Sequence, residues 1–208
     1  MKYVIVAIAV IIFCAGCSGN STPGKQSQTD GGDNLANTPP SQHFAVPLAD
    51  GFMGRGGTGE YEVYMDSVNK HDGHNVPTIR SVTPLKFATV IGNMQPMKCI
   101  GKRIMYTAWV RAKDVKGWAS LWLRIDPDDP AHKPALGFDN MSGRPIRGTG
   151  DWAQFQVVMD VPEGAADLVY GALLSGNGQV WIDSMDIKIV DSQTPRTDSL
   201  MPKFKKVL

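Results

Sequence analysis

Tryptophan and arginine recur at even spacing in the middle of this chain. Trp109 and Arg111 are two apart; Trp118, Trp122 and Arg124 follow at four and two. In a β-strand, even spacing places side chains on one face. A flat indole stacks on the apolar face of a pyranose ring, and guanidinium and carboxylate groups hydrogen-bond its hydroxyls. Asp139, Asn140 and Arg144 come next in sequence and offer polar groups to complete such a site. The candidate ligand-binding set is therefore Trp109, Arg111, Trp118, Trp122, Arg124, Asp139 and Arg144. A structural reading stands beside it, in which the indoles pack under loops and Arg111, Arg124 and Asp139 pair among themselves.

Other patterns carry less chemistry. Gly54-Arg55-Gly56-Gly57-Thr58-Gly59 fits the spacing G-x-G-x-x-G, but a dinucleotide fingerprint needs a strand before it and a helix after it. Here a strand pattern follows, so it reads as a flexible loop. His71-Asp72-Gly73-His74 reads as a solvated hairpin turn, and His43 and His132 have no partner spacing. There is no G-x-S-x-G elbow and no H-E-x-x-H motif. Glycoside hydrolysis needs two carboxylates in register, and the only glutamates are Glu60, Glu62 and Glu163. No catalytic residue and no cofactor are expected.

The elements that position these residues have a period of two. Tyr61–Asp66, Lys86–Met94, Arg103–Ala112, Trp118–Asp126, Leu136–Met141, Trp152–Val161, Leu168–Leu174 and Gln179–Val190 read as about eight strands of a sandwich or barrel. In Arg103–Ala112, Ile104, Tyr106, Ala108 and Val110 share one face; Met105, Thr107, Trp109 and Arg111 share the other. In Trp118–Asp126, Ala119, Leu121, Leu123 and Ile125 oppose Trp118, Ser120, Trp122 and Arg124. Lys113–Gly117 is expected to turn the chain between these two strands. That would make Trp109 and Arg111 neighbours of Trp118, Trp122 and Arg124. Asp126-Pro127-Asp128-Asp129-Pro130 is a strong break.

The formal charge is +1, with 22 glycines and 14 prolines. A near-neutral chain without a basic run lacks the electrostatic footprint of a nucleic-acid binder. The chain opens with Lys2, an apolar run from Tyr3 to Phe13, and Cys14-Ala15-Gly16-Cys17. The run is shorter than the about 20 residues that span a bilayer. Charged start, short apolar segment and small residues at the end have the form of a signal peptide. This ending resembles the lipobox of bacterial lipoproteins, which implies cleavage after residue 16 and acylation of Cys17. Cys14 stands where that family usually has Leu, Val or Ile. Cleavage to a free secreted protein is the alternative. Proteins of that class carry several acyl chains, and Ser18 after the cysteine implies the outer membrane. Loss of Lys2 would lower the formal charge to 0. Residues 17–42 are polar and turn-rich, and read as a linker that cannot offset its ordering entropy. Residues 43–191 have the size of one domain, and 192–208 read as a poorly ordered tail. Cys99 would be the one cysteine left in the domain, buried and inert.

Gly117–Asp126, Phe138-Asp139-Asn140-Met141, Arg144-Pro145-Ile146, Gly148-Thr149 and Asp151-Trp152 resemble a bacterial jelly-roll module that occurs free-standing and beside helix-turn-helix regulators. More distantly, Tyr106–Arg111, Asp151-Trp152, Val161-Pro162 and Trp181-Ile182-Asp183 are similar to carbohydrate-binding modules of the galactose-binding-like jelly-roll fold. The resemblance covers about 60–190 of the sequence, a normal span for one such domain. It implies an all-β jelly roll of antiparallel strands and a carbohydrate ligand. It also implies that Asp183 can help hold a structural calcium against the early segment, where Asp50, Glu60 and Asp66 supply oxygens. The chain has no helix-turn-helix region, so a DNA role does not follow. Three function classes result: a lipid-anchored, non-catalytic module binding a carbohydrate or small polar ligand; a structural or assembly envelope lipoprotein binding a protein partner through the same face; and, third, a glycan hydrolase or esterase.

Overall fold

The computed structural model describes residues 43–47, 53–57 and 59–198, with backbone alone at 43–47 and 57. The strands are β1 (His43–Pro47), β2 (Met53–Gly57), β3 (Tyr61–Asp66), β4 (Val76–Ser81), β5 (Phe87–Met94), β6 (Arg103–Pro127), β7 (Gly137–Asp139), β8 (Ile146–Asp160), β9 (Ala165–Ser175) and β10 (Gln179–Val190). All pairings are antiparallel, and the described residues contain no α-helix. The expected all-β jelly-roll sandwich is what forms.

β6 is the axis of the molecule. Its first half lies between β8 and β10, and the sheet continues from β10 to β4 and β3. Its second half lies between β7 and β9, and that sheet continues through β5 and β2 to β1. Lys113–Gly117 therefore does not turn the chain back, contrary to the sequence reading. It carries one 25-residue strand from one layer into the other. Trp109 and Arg111 are not cross-strand neighbours of Trp118, Trp122 and Arg124.

The passage is marked by irregular register against β8 between Val110, Ala112, Val115 and Ala119, and by Asp114 at φ 52°. A strand that keeps strict alternation presents the same parity throughout. Here Ile104, Tyr106, Ala108 and Val110 are buried on even numbers, and Ala119, Leu121, Leu123 and Ile125 on odd ones. The bulge changes the parity, so both halves turn their apolar sides into one shared core. Val90, Val157, Met159, Leu168, Leu174, Val180 and Ile182 fill that core with them. Cys99 is buried at its margin, as expected.

Three strands went unread in the sequence. β1 and β2 are short, and β2 is glycine-rich. At Gly54 a Cβ would run into Val63, so close packing there excludes a side chain. β4 contains Pro77, which reads against a central strand. β10 pairs only Thr78–Arg80 of β4, so Pro77 lies outside that ladder and its missing N–H costs nothing there.

Candidate binding groove and loop cluster

The outward face of the second layer carries the candidate groove. Register defines its rows: Phe138 against Arg124 against Val169; Trp122 against Gly171 against Ile91; Ser120 against Leu173 against Thr89 against Arg55; Trp118 against Ser175 against Phe87. These strands enclose a groove of about 510 Å³ lined by Arg55, Lys86, Phe87, Thr89, Ile91, Trp118, Trp122, Arg124, Phe138, Asn140 and Leu173. Trp122 is its floor. Its Nε1 donates to Thr89 Oγ1 at 2.8 Å, two strands away, and Thr89 Oγ1 donates in turn to the Ala172 carbonyl at 2.8 Å. Such a reach requires an empty position on the strand between. Gly171 provides it: a Cβ there would clash with the Val90 carbonyl and approach Trp122 Cε2 at 3.3 Å. Trp122 is 8% exposed, and Trp118 is a half-buried wall. Phe87 and Phe138 stand at the rim, 54% and 43% exposed.

Cations and no carboxylates line the groove. Arg124 is held by Asp126 through two bonds of 2.8 Å, from Nε and one terminal nitrogen. Asp126 is buried, so the pair fixes the guanidinium while cancelling its charge. The Arg55 side chain is exposed and lines the groove, with no side-chain ion pair or hydrogen bond among the described residues.

The groove gathers only part of the expected set. Trp118, Trp122 and Arg124 line it, with Asn140. Asp139 and Arg144 do not. Asp139 is fully buried and points inward, because Phe138 beside it points out. Arg144 binds it at 2.8 Å, the Met141 amide donates to it at 2.8 Å, and Thr197 Oγ1 donates to it at 2.7 Å. Both residues are structural. They anchor the described start of the segment 192–208 expected to be poorly ordered: Thr197 is buried, its amide donates to the Val158 carbonyl at 2.9 Å, and the Val158 amide donates to Thr197 Oγ1 at 2.7 Å. Phe87, Phe138 and Arg55 were missed. Alternation alone could have found Phe138, once Asp139 was recognised as inward.

Trp109 and Arg111 belong to a second cluster, on the first layer beside the β3–β4 loop. Arg111 sits over the Trp181 ring at 5.3 Å and donates to Asn69 Oδ1 at 3.1 Å, with Asp151 at 3.6 Å. Trp109 stacks on His71 at 4.6 Å. Asp66 organises the loop. Its carboxylate accepts from the Val68 and Asn69 amides at 2.7 and 3.0 Å, from Asn69 Nδ2 at 2.9 Å and from Trp181 Nε1 at 2.7 Å. Burial raises its pKa, but these donors outweigh burial and hold the carboxyl well below the usual range.

Among the described residues, the expected calcium set of Asp183 with Glu60 and Asp66 is not gathered. Asp66 spends both oxygens on these donors, and Asp50 lies outside the described residues, as does Cys17. Among the described residues, the donors that gather at Asp183 come from His71 and Asp72. Calcium takes six to eight oxygens, and one of these three donors is an imidazole nitrogen. His71-Asp72-Gly73-His74, read as a solvated turn, is half folded in: His71 is half-buried, while Asp72 and His74 are exposed.

No family model matches the chain. The uncharacterised HTH-type transcriptional regulator YbfP of Bacillus subtilis (strain 168) is 37% identical over 146 residues, 69% of this chain and 48% of that protein. The chain thus spans about half the length of this curated relative. The CBM22-1–GH10 modules of endo-1,4-β-D-xylanase 10B from Clostridium thermocellum, solved with xylohexaose, superpose with a TM-score of 0.50 at 10% identity, over 72% of this chain and 28% of that one. The CBM22-1 xylan-binding domain of Paenibacillus barcinonensis Xyn10C gives a TM-score of 0.49 at 14% identity, over 71% and 90%. The xylanase modules share the antiparallel sandwich with this chain, and the likeness is one of fold.

Proposed function

We propose that this domain is a non-catalytic binding module whose ligand, a carbohydrate or another small polar molecule, lies in the groove over Trp122. One observation carries the reading: a wall and a floor of indole, an arginine fixed by its own carboxylate and a second arginine, Arg55, face one open concavity. Concave apolar surfaces with a few placed polar groups are the usual form of a ligand site. The xylohexaose in the structurally similar xylanase modules supports sugars as the first ligands to test. Because the lining offers cations and no carboxylate, acidic sugars should bind more tightly than their neutral counterparts, and the difference should shrink with salt. On a glycan array, the full chain purified in detergent should bind, and Trp118→Ala should weaken that binding at least about tenfold, the effect of losing an aromatic anchor. Binding that survives Trp118→Ala unchanged places the ligand elsewhere.

The domain is tethered, on this proposal, through an acylated Cys17 at the bacterial envelope, with Ser18 directing it to the outer membrane and 17–42 as spacer. Mass spectrometry of the membrane fraction tests this: an acylated N-terminal Cys17 supports it, and a free N-terminus refutes it. A second reading rests on the exposed Phe87 and Phe138 at the groove. Exposed apolar groups of this kind also serve protein interfaces. A stoichiometric envelope protein recovered on the chain, and lost with Phe138→Ala, would favour it.

A further inference from the structure

His71, Asp72 and Asp183 converge away from the groove, where the β3–β4 loop meets β10. His71 Nδ1 lies 3.1 Å from Asp72 Oδ1 and 3.6 Å from Asp183 Oδ2. The nitrogen is buried yet makes no well-directed hydrogen bond. The donor atoms of all three residues lie within 4.8 Å of one another. Ligands bound about 2.1 Å from a zinc-like ion sit roughly 3.0–3.4 Å apart in octahedral or tetrahedral arrangement. The 3.1 Å spacing falls in that range, and the others need to close by a small side-chain movement for an ion to be held.

We propose that His71, Asp72 and Asp183 form a binding site for a borderline divalent transition metal of the zinc class. One imidazole and two carboxylates suit such an ion, whereas calcium requires a larger shell of oxygens. The ring is set in place before any metal arrives. Trp109 stacks on it at 4.6 Å, and Trp152 tilts against it at 5.0 Å. The loop carrying it is fixed by Asp66 to Trp181 and by Asn69 to Arg111. Asp183 is fixed too, accepting from the Ser184 amide at 2.7 Å. Asp72 is 62% exposed and leaves the outer side open to water or to a further ligand. A bound ion ties the β3–β4 loop to β10.

The test uses the untagged full chain in detergent, stripped with chelator and titrated with Zn²⁺ by calorimetry. One equivalent should bind, and equimolar Ca²⁺ should not displace it. His71→Ala and the isosteric Asp183→Asn should each weaken binding at least about tenfold, since even outer-shell losses cost that much. His74→Ala, on an exposed neighbour, should leave it unchanged. Cu²⁺ should quench indole emission, and Trp109→Phe should remove part of that quenching. Folding of each variant is read from its thermal melt. The proposal is overturned if no stoichiometric Zn²⁺ binds, if a folded Asp183→Asn chain binds as wild type, or if Ca²⁺ competes equally. In those cases His71 is an ion-pairing residue or the ion sits elsewhere.

Discussion

Trp122 shows how one side chain becomes a surface. Its indole is held by a neutral hydrogen bond to Thr89, and Thr89 in turn is held by the Ala172 carbonyl. Thr89→Val keeps the shape and removes the acceptor, leaving the indole N–H unpaired at a cost of about 1–3 kcal/mol; chemical denaturation measures the loss, and ligand affinity should fall with it. Tyr106 is the opposite case. Its hydroxyl is buried without a hydrogen-bond partner among the described residues, its ring tilts against Tyr170 at 5.2 Å, and burial pushes its pKa well up. Tyr106→Phe removes a desolvated group that bonds to nothing, so stability should hold or rise by up to about 1 kcal/mol. Asp66 sets the acid response. Its folded pKa lies below the ordinary 3.8, so the stability it contributes is whole above that value and drains as pH falls below it. Asp66→Asn should lower the melting temperature near neutral pH and flatten its decline in acid.

At the scale of elements, the governing feature is the parity change inside β6. The two halves were legible in sequence as strands with the correct inward faces, because alternation over eight to ten residues is a strong signal. What lay between them was not legible. Lys113–Gly117 holds polar and glycine residues that suit a hairpin turn as well as a bulged crossing, and only pairing with β8 and β9 distinguishes them. That ambiguity merged two separate clusters, and it assigned Trp109 and Arg111 to the wrong one. Asp139 and Arg144 were misread for another reason. Asp139 turns inward to bind Arg144 and Thr197, and Thr197, 58 residues beyond it, leaves no local pattern. Thr197→Val should strand the Val158 amide and take one of its donors from Asp139, which keeps Arg144 and the Met141 amide, cost about 1–3 kcal/mol, and free the segment around Thr197 to proteolysis. Gly171→Ala should destabilise the fold as well as the groove, because its Cβ would run into the Val90 carbonyl where β5 and β9 approach and would also crowd Trp122; thermal melting measures the loss.

Over the whole molecule, a sandwich with one strand shared by both layers keeps two unlike surfaces apart. One layer presents a cationic groove with indole floor and wall. The other presents a loop whose histidine, two carboxylates and two indoles meet. The core beneath is apolar and continuous, so each surface can be altered without unfolding the other. The claim that the groove is the recognition site is tested most directly by the indole N–H resonances of the full chain, assigned by single Trp→Phe variants, during titration with acidic and neutral oligosaccharides. Trp118 and Trp122 should shift and saturate together while Trp181, buried under the opposite layer's loop, stays put. Saturable shifts at Trp109 and Trp152 with Trp118 and Trp122 unmoved would contradict the account.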